Sequence, residues 1–339
     1  MKLSQLESAP ISFHGESKTS QAVTRAHRID VHAHMAPDFY REAFRQAGMA
    51  TTSGAAVEWT PQLALETMDA HGIAMSILSI SFPGVHFGDD RAARALARRC
   101  NELAAELGQR WPGRFGAFAV LPLPEMEGAL AELEFALDKL KLDGVILLAS
   151  HAGRFLGDPA LEPLLAELDR RSAVVLVHPG MHPSSRTLGL PWPGFMLEFV
   201  IDTSRAAINL LFSGALERFG NIKFILAHGG GVIPYISWRL SVAPIISPLV
   251  PQWPQERIFA GLRRFWYDTA LCATGHALPA LMQTAAPERI LFGSDWPYAP
   301  AKVTGLSIEG IKEAPGVTDR LRAGIERDNA LQLFPRLHG

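Results

Sequence analysis

Five residues of this sequence are of the right type, and recur in the right kind of place, to hold a metal ion and move a proton. His32 and His34 form an H-x-H triplet inside the apolar run RIDVHAHM, with Asp30 beside them. In a strand, residues two apart point to the same side, so both imidazoles face one way. Two neutral imidazoles at that spacing suit Zn²⁺ or a similar divalent ion. His178 stands at the end of the apolar stretch of AVVLVHP, His228 at that of FILAHGGG, and Asp295 is the aspartate of LFGSDWP. Any one of them alone reads equally well as a hydrogen-bonded core histidine or a turn-capping aspartate. Five at the polar ends of apolar runs are hard to explain as packing. Three imidazoles and one carboxylate are then available as ligands, with one imidazole to spare. A catalytic ion keeps a position open for water or substrate, and His228 is the natural candidate for the spare, acting as general acid/base beside it. A bound divalent ion lowers the pKa of water to about 7, which makes hydroxide available at neutral pH.

Such a site needs elements that bring distant parts of the chain to one point. Eight apolar runs of strand length, at 28–35, 72–81, 114–123, 144–150, 173–179, 223–229, 265–271 and 289–297, alternate with segments of helical periodicity. The spacing predicts helices over 61–70, 90–111, 125–140, 158–170 and 198–219, the second with the cleanest apolar stripe. Thr60–Pro61 and Asp158–Pro159 read as an N-cap followed by proline in the first turn. Alternation of this kind calls for an α/β fold with a parallel sheet covered by helices. Strands buried on both faces read as near-continuous apolar runs, as these do. Seven steps from Met35 to Pro297 average about 37 residues, the length of one β–loop–α unit. Eight such units predict a closed (β/α)8 TIM barrel. No G-x-G-x-x-G follows the first run, so a dinucleotide fold has no support. Barrel active sites lie at the carboxyl ends of the strands, which is where all five residues fall.

Composition agrees with this reading. The chain has 339 residues, 48% hydrophobic and only 19% charged, against about 25% charged in an average soluble domain. It can bury a large core without staples, and disordered, collagen-like and coiled-coil classes are excluded. Thirty-two Lys plus Arg against thirty-four Asp plus Glu leave a formal charge of −2. That balance offers no basic field for a nucleic acid, so a small-molecule partner is expected. Cys100 and Cys272 are the only cysteines, too few for a disulfide framework or a cysteine-rich zinc site. No apolar run reaches the length of a membrane span, and the first 27 residues lack the apolar core of a signal peptide. The expectation is a cytoplasmic protein with no membrane partner. Residues 1–27 are read as a poorly ordered N-terminal extension and 28–339 as a single barrel domain.

The motifs IDVHAH, VLVHPG, ILAHGGG and LFGSDWP, in that order, resemble the amidohydrolase superfamily. The resemblance runs from about residue 28 to residue 333 and is greatest to the aminocarboxymuconate-semialdehyde decarboxylase branch. The segments SILSISFPG and DGVILLAS also resemble 6-methylsalicylate decarboxylases. The resemblance implies a distorted (β/α)8 barrel with one divalent metal ion, commonly Zn²⁺, with Mn²⁺ as the alternative. It puts His32, His34, His178 and Asp295 on the ligand positions and His228 on the position of the catalytic histidine; either His228 or Asp295 governs the proton. Superfamily members with two metals carry a carboxylated lysine where this chain has GVILLASH, so a single metal is implied. Arg239 resembles an arginine that binds the substrate carboxylate of the neighbouring subunit, which implies a homodimer or higher homo-oligomer. Phe82 and Trp192, in loops after the second and fifth runs, are aromatic candidates for the substrate wall. The expected function is metal-dependent, non-oxidative decarboxylation of a small aromatic or enol carboxylic acid. The same five residues serve metal-dependent hydrolysis of an amide, lactone or related bond equally well, so hydrolysis remains the alternative.

Overall fold

The computed structural model describes residues 26–49, 57–189 and 191–338; most of the expected N-terminal extension, residues 1–25, lies outside them. Eight parallel strands follow one another in chain order, each paired with the next. They are β1 (Arg28–His34), β2 (Ile73–Ser79), β3 (Phe115–Val120), β4 (Gly144–Leu148), β5 (Val174–His178), β6 (Lys223–Leu226), β7 (Trp266–Asp268) and β8 (Ile290–Leu291). The ring closes between the last strand and the first. Val31 N donates to Phe292 O at 3.0 Å, His34 N donates to Trp296 O at 2.7 Å, and Ala33 bridges Trp296 in parallel. The expected (β/α)8 barrel is therefore the fold.

Local sequence explains these elements. The strands are runs of Val, Ile, Leu, Ala and Phe; β5, VVLVH, is buried at every position, as a strand covered on both faces must be. Outside β3 lies the helix Asp90–Arg110, whose buried stripe is Ala93, Ala97, Cys100, Asn101, Ala104 and Leu107. Its alanines allow close approach to the sheet, and the Asp89 carboxylate caps it by accepting from Ala92 N. Asn101, polar within this stripe, uses its side-chain amide to donate to Val120 O and to accept from Val120 N. Among the described residues no helix is long and apolar enough to cross a membrane.

Three runs stop being strand earlier than their apolar length suggests. The runs at 223–229, 265–271 and 289–297 end as strands at Leu226, Asp268 and Leu291. Beyond those points His228, Leu271 and Asp295 take left-handed backbone, with φ of 55°, 55° and 61°. A strand cannot contain such a residue, and each costs about 1–3 kcal/mol. Three predicted helices are also interrupted. The segment 125–140 is α-helix Met126–Glu134 followed by a π-helical turn, Phe135–Lys139. The segment 158–170 begins with a 3-10 turn, Pro159–Leu161, before helix Glu162–Arg170. The segment 198–219 breaks at the left-handed Gly214 into Glu198–Phe212 and Ala215–Arg218.

One buried carboxylate ties the two ends of the barrel together. Asp30 on β1 accepts from Ser294 N and His32 N, both at 3.1 Å, and from Ser294 Oγ at 2.6 Å. Burial raises its pKa to about 7 even though those donors favour the charged form. Replacing Asp30 with Ala strands these buried donors, so the unfolding free energy should fall by about 3 kcal/mol. Chemical denaturation of the variant reads this directly; an unchanged midpoint would show that the β1–β8 lock carries no weight.

Candidate metal centre

Alternation along β1 places His32 and His34 on the same side, facing the barrel axis, both fully buried. Their Nε2 atoms stand 3.1 Å apart. Asp295, turned inward by its left-handed backbone, puts Oδ1 3.0 Å from His34 Nε2 and 3.3 Å from His32 Nε2. His178 comes from the end of β5, with its ring centroid 4.9 Å from that of His34 and 5.2 Å from that of His32. The ligand atoms of these four residues lie within 4.8 Å of one another.

Whether the four fit an ion depends on where the imidazole protons sit. Each ring has an acceptor behind it, at Nδ1. His32 Nδ1 faces Asp268 Oδ2 at 2.7 Å, an acceptor with no proton of its own to give. Ser79 Oγ donates to Ala33 O and so accepts from His34 Nδ1, at 2.9 Å. His178 Nδ1 faces the Pro179 carbonyl at 2.8 Å. All three rings therefore carry the proton on Nδ1 and direct Nε2 to the common point, the arrangement that imidazole ligands require. Burial lowers the pKa of His34 and pushes that of His178 well below its ordinary value, so both are neutral donors. Burial also works against charge on His32, but the Asp268 and Asp295 carboxylates outweigh it and raise its pKa to about 10 in the metal-free protein. An ion would displace the extra proton. Burial opposes the charge on Asp295, yet hydrogen bonds from the surrounding imidazoles hold its pKa well below the usual carboxylate range. Three imidazole nitrogens and one carboxylate oxygen form a divalent-metal site.

His228 stands over this cluster without joining it. Its ring centroid is 5.1 Å from that of His32, and its Nε2 is 3.6 Å from Asp295 Oδ2, longer than a hydrogen bond. Neither ring nitrogen has a hydrogen-bond partner among the described residues, although both are buried. Its backbone N–H is held by Asp268 Oδ1 at 3.0 Å.

A cavity of about 720 Å³ opens onto His178, His228 and Asp295. Phe82, Phe195, Met196, Phe199 and Leu271 supply apolar wall, and among the described residues no Lys or Arg lines it. Phe82 is thus at the cavity. Trp192 is not among its lining residues and is 68% exposed. Arg239 is exposed on the helix Ile233–Ile246 and likewise stands outside the wall of its own chain's cavity. Sequence reasoning passed over Asp268, Ser79 and Tyr298, whose ring lies 5.4 Å from that of His34 and lines the cavity. The rule that selects Asp295 also selects Asp268, since FWYDTAL is an apolar run with an aspartate in its polar half.

Removing one ligand tests the centre without a substrate. His178→Ala should weaken binding of Zn²⁺ to the metal-stripped protein by at least about 100-fold, as read by titration calorimetry. Undiminished affinity would place the ion elsewhere.

Comparisons with known proteins agree with this geometry. Residues 29–336 match the family model described as Amidohydrolase. The chain is 36% identical over 317 residues to a 6-methylsalicylic acid decarboxylase of Penicillium expansum, covering 92% of this chain and 97% of that one. A crystal structure of an amidohydrolase superposes with a TM-score of 0.84 at 31% identity, covering 91% of this chain and 99% of the other. The crystal structure of a 2,6-dihydroxybenzoate decarboxylase complexed with 2,6-dihydroxybenzoate superposes with a TM-score of 0.79 at 26% identity and the same coverage. With the four metal ligands on the expected strand ends, the chain belongs to the amidohydrolase family, in its aminocarboxymuconate-semialdehyde decarboxylase-like branch.

Proposed function

We propose that this protein is a metal-dependent, non-oxidative decarboxylase of a small aromatic carboxylic acid. The observation that carries this reading is a cavity that joins the metal centre to a largely apolar wall. His178, Asp295 and His228 share its lining with Phe82, Phe195, Met196, Phe199 and Leu271. A cavity of about 720 Å³ is of the size that small-molecule sites use. Such a lining suits a planar ring whose carboxylate reaches the metal centre. Glu58, exposed in the lining, disfavours a second carboxylate near it. The similarity to a 6-methylsalicylic acid decarboxylase and to a 2,6-dihydroxybenzoate decarboxylase points to a ring with a hydroxyl beside the carboxylate.

A divalent ion held by His32, His34, His178 and Asp295 would supply positive charge that attracts the substrate carboxylate and stabilises negative charge developing during the reaction. The chain's own residues supply the rest. The aromatic wall orients the ring and excludes water from the carbon that bears the carboxylate. The His228–Asp295 pair, 3.6 Å apart, holds the proton. That proton passes to the ring carbon; the bond to the carboxylate then breaks, its electron pair returns to the ring, and CO₂ leaves. Solvent returns one proton to the pair, so each turnover consumes one proton and releases one CO₂. Both ring nitrogens of His228 are free of hydrogen bonds among the described residues, which suits it to both transfers. We take Zn²⁺ as the ion, because an imidazole-rich set of three nitrogens and one oxygen suits it, with Mn²⁺ as the competitor.

The surface around Arg239 supports a homodimer. Tyr235, Trp238, Ile245, Ile246 and Leu249 are 66–93% exposed on and just after its helix, an apolar face that a single chain leaves in water. A second copy covering this face would place Arg239 at the interface between the subunits.

Purified protein should release CO₂ from salicylates such as 6-methylsalicylate, and a chelator should abolish the release. A broad panel of aromatic acids yielding none, with hydrolysis of an ester or lactone instead, overturns the reading. His228→Asn should lower kcat by at least about 100-fold while Zn²⁺ binding persists; full turnover by the variant removes His228 from the chemistry. Glu in place of Trp238 and Ile245 should convert the dimer to monomers in light scattering. A wild-type protein that is already monomeric refutes the dimer.

A further inference from the structure

Asp268, at the end of β7, is fully buried and divides its two oxygens between two tasks. Oδ2 accepts from His32 Nδ1 at 2.7 Å. Oδ1 accepts from the backbone N–H of His228 at 3.0 Å and of Ala270 at 2.9 Å. One side of the carboxylate thus faces a metal ligand, and the other faces the residue that stands over the metal.

Both attachments matter physically. A neutral imidazole has one N–H. Only when His32 keeps that proton on Nδ1 is Nε2, 3.1 Å from His34 Nε2, free for an ion. At His228 the backbone is left-handed, φ 55°, and Gly229, Gly230 and Gly231 continue at 63°, 75° and 66°. Four consecutive residues in a region that side chains disfavour need to be held from outside. Gly231 is confined at the far end, where a Cβ would fall 2.0 Å from Val200 O. Asp268 Oδ1 holds the near end.

We infer that Asp268 is a positioning residue that couples the metal centre to the proton-handling histidine. It sets the His32 tautomer that leaves Nε2 open to the ion and fixes the backbone from which the His228 ring projects. The inference rests on the metal-site reading and on the role given to His228, but its first readouts need no substrate.

Asp268→Asn separates the two tasks while keeping nearly the same shape. The asparagine Oδ1 still accepts from His228 and Ala270, whereas its Nδ2–H₂ now donates to His32 Nδ1 and forces the ring proton onto Nε2. Zn²⁺ affinity, measured by titration calorimetry on metal-stripped protein, should fall about 10–100-fold. Nitrogen NMR of the histidine rings in metal-stripped protein should show His32 Nδ1 protonated in the wild type but unprotonated, with the ring proton on Nε2, in the variant. Wild-type affinity together with an unchanged tautomer overturns the proposal. Asp268→Ala removes both attachments. Excess Zn²⁺ should therefore restore turnover further in Asp268→Asn than in Asp268→Ala, and equal restoration overturns the coupling to His228. Lost Zn²⁺ affinity with the tautomer change, in a protein that releases no CO₂ from any aromatic acid, upholds the Asp268–His32 link while refuting the decarboxylase reading.

Discussion

Each imidazole of the metal centre has one proton to place, and the structure is organised around placing it on the side away from the centre. His32 gives it to Asp268, His34 to Ser79 and His178 to the Pro179 carbonyl. Ligands come from β1, from the end of β5 and from the loop after β8, while their supports come from β7, β2 and the residue after β5. Only a closed barrel brings these together. In an open sheet of eight strands, β1 and β8 would lie at opposite edges, about 34 Å apart at 4.8 Å per step. Closure through Val31–Phe292 and the Ala33–Trp296 bridge is what puts Asp295 within reach of His34.

Burying so much charge requires compensation at every point. Asp30, Asp268 and Asp295 are all buried, and each accepts from several donors. Asp30 joins β1 to the loop after β8, and Asp268 on β7 joins β1 to the turn after β6, so the carboxylates that support the site also close the ring around it. Conformational strain is concentrated in the same place. His228, Leu271 and Asp295 leave the strand conformation at the mouth of the barrel, which is how their side chains come to face the cavity.

The lining of the cavity is largely apolar, with Glu58 exposed in it and no Lys or Arg among the described residues, so packing serves the ring and the metal end serves the carboxylate. Arg239 lies outside that lining, on a helix whose exposed face is largely apolar.

By itself the sequence determined the barrel and the metal ligands. Apolar runs of strand length at regular intervals leave little choice of fold, and a His or Asp at the polar end of such a run is conspicuous because nothing about packing asks for it there. His32 and His34 were legible from a period of two along one strand, and His178, His228 and Asp295 from their places at run ends. Only the tertiary structure decided what depends on direction and on neighbours distant in the chain. Asp268 and Asp295 look alike in sequence, yet one faces the ion site and the other faces the back of His32, because the backbone past β8 turns left-handed and Asp268 remains in strand. Trp192 and Phe195 are three residues apart in one loop, yet only Phe195 reaches the cavity, because packing rather than residue type sets the path of that loop. Ring protons, strand ends and cavity walls are settled by contacts across the barrel, which no local pattern of residues encodes.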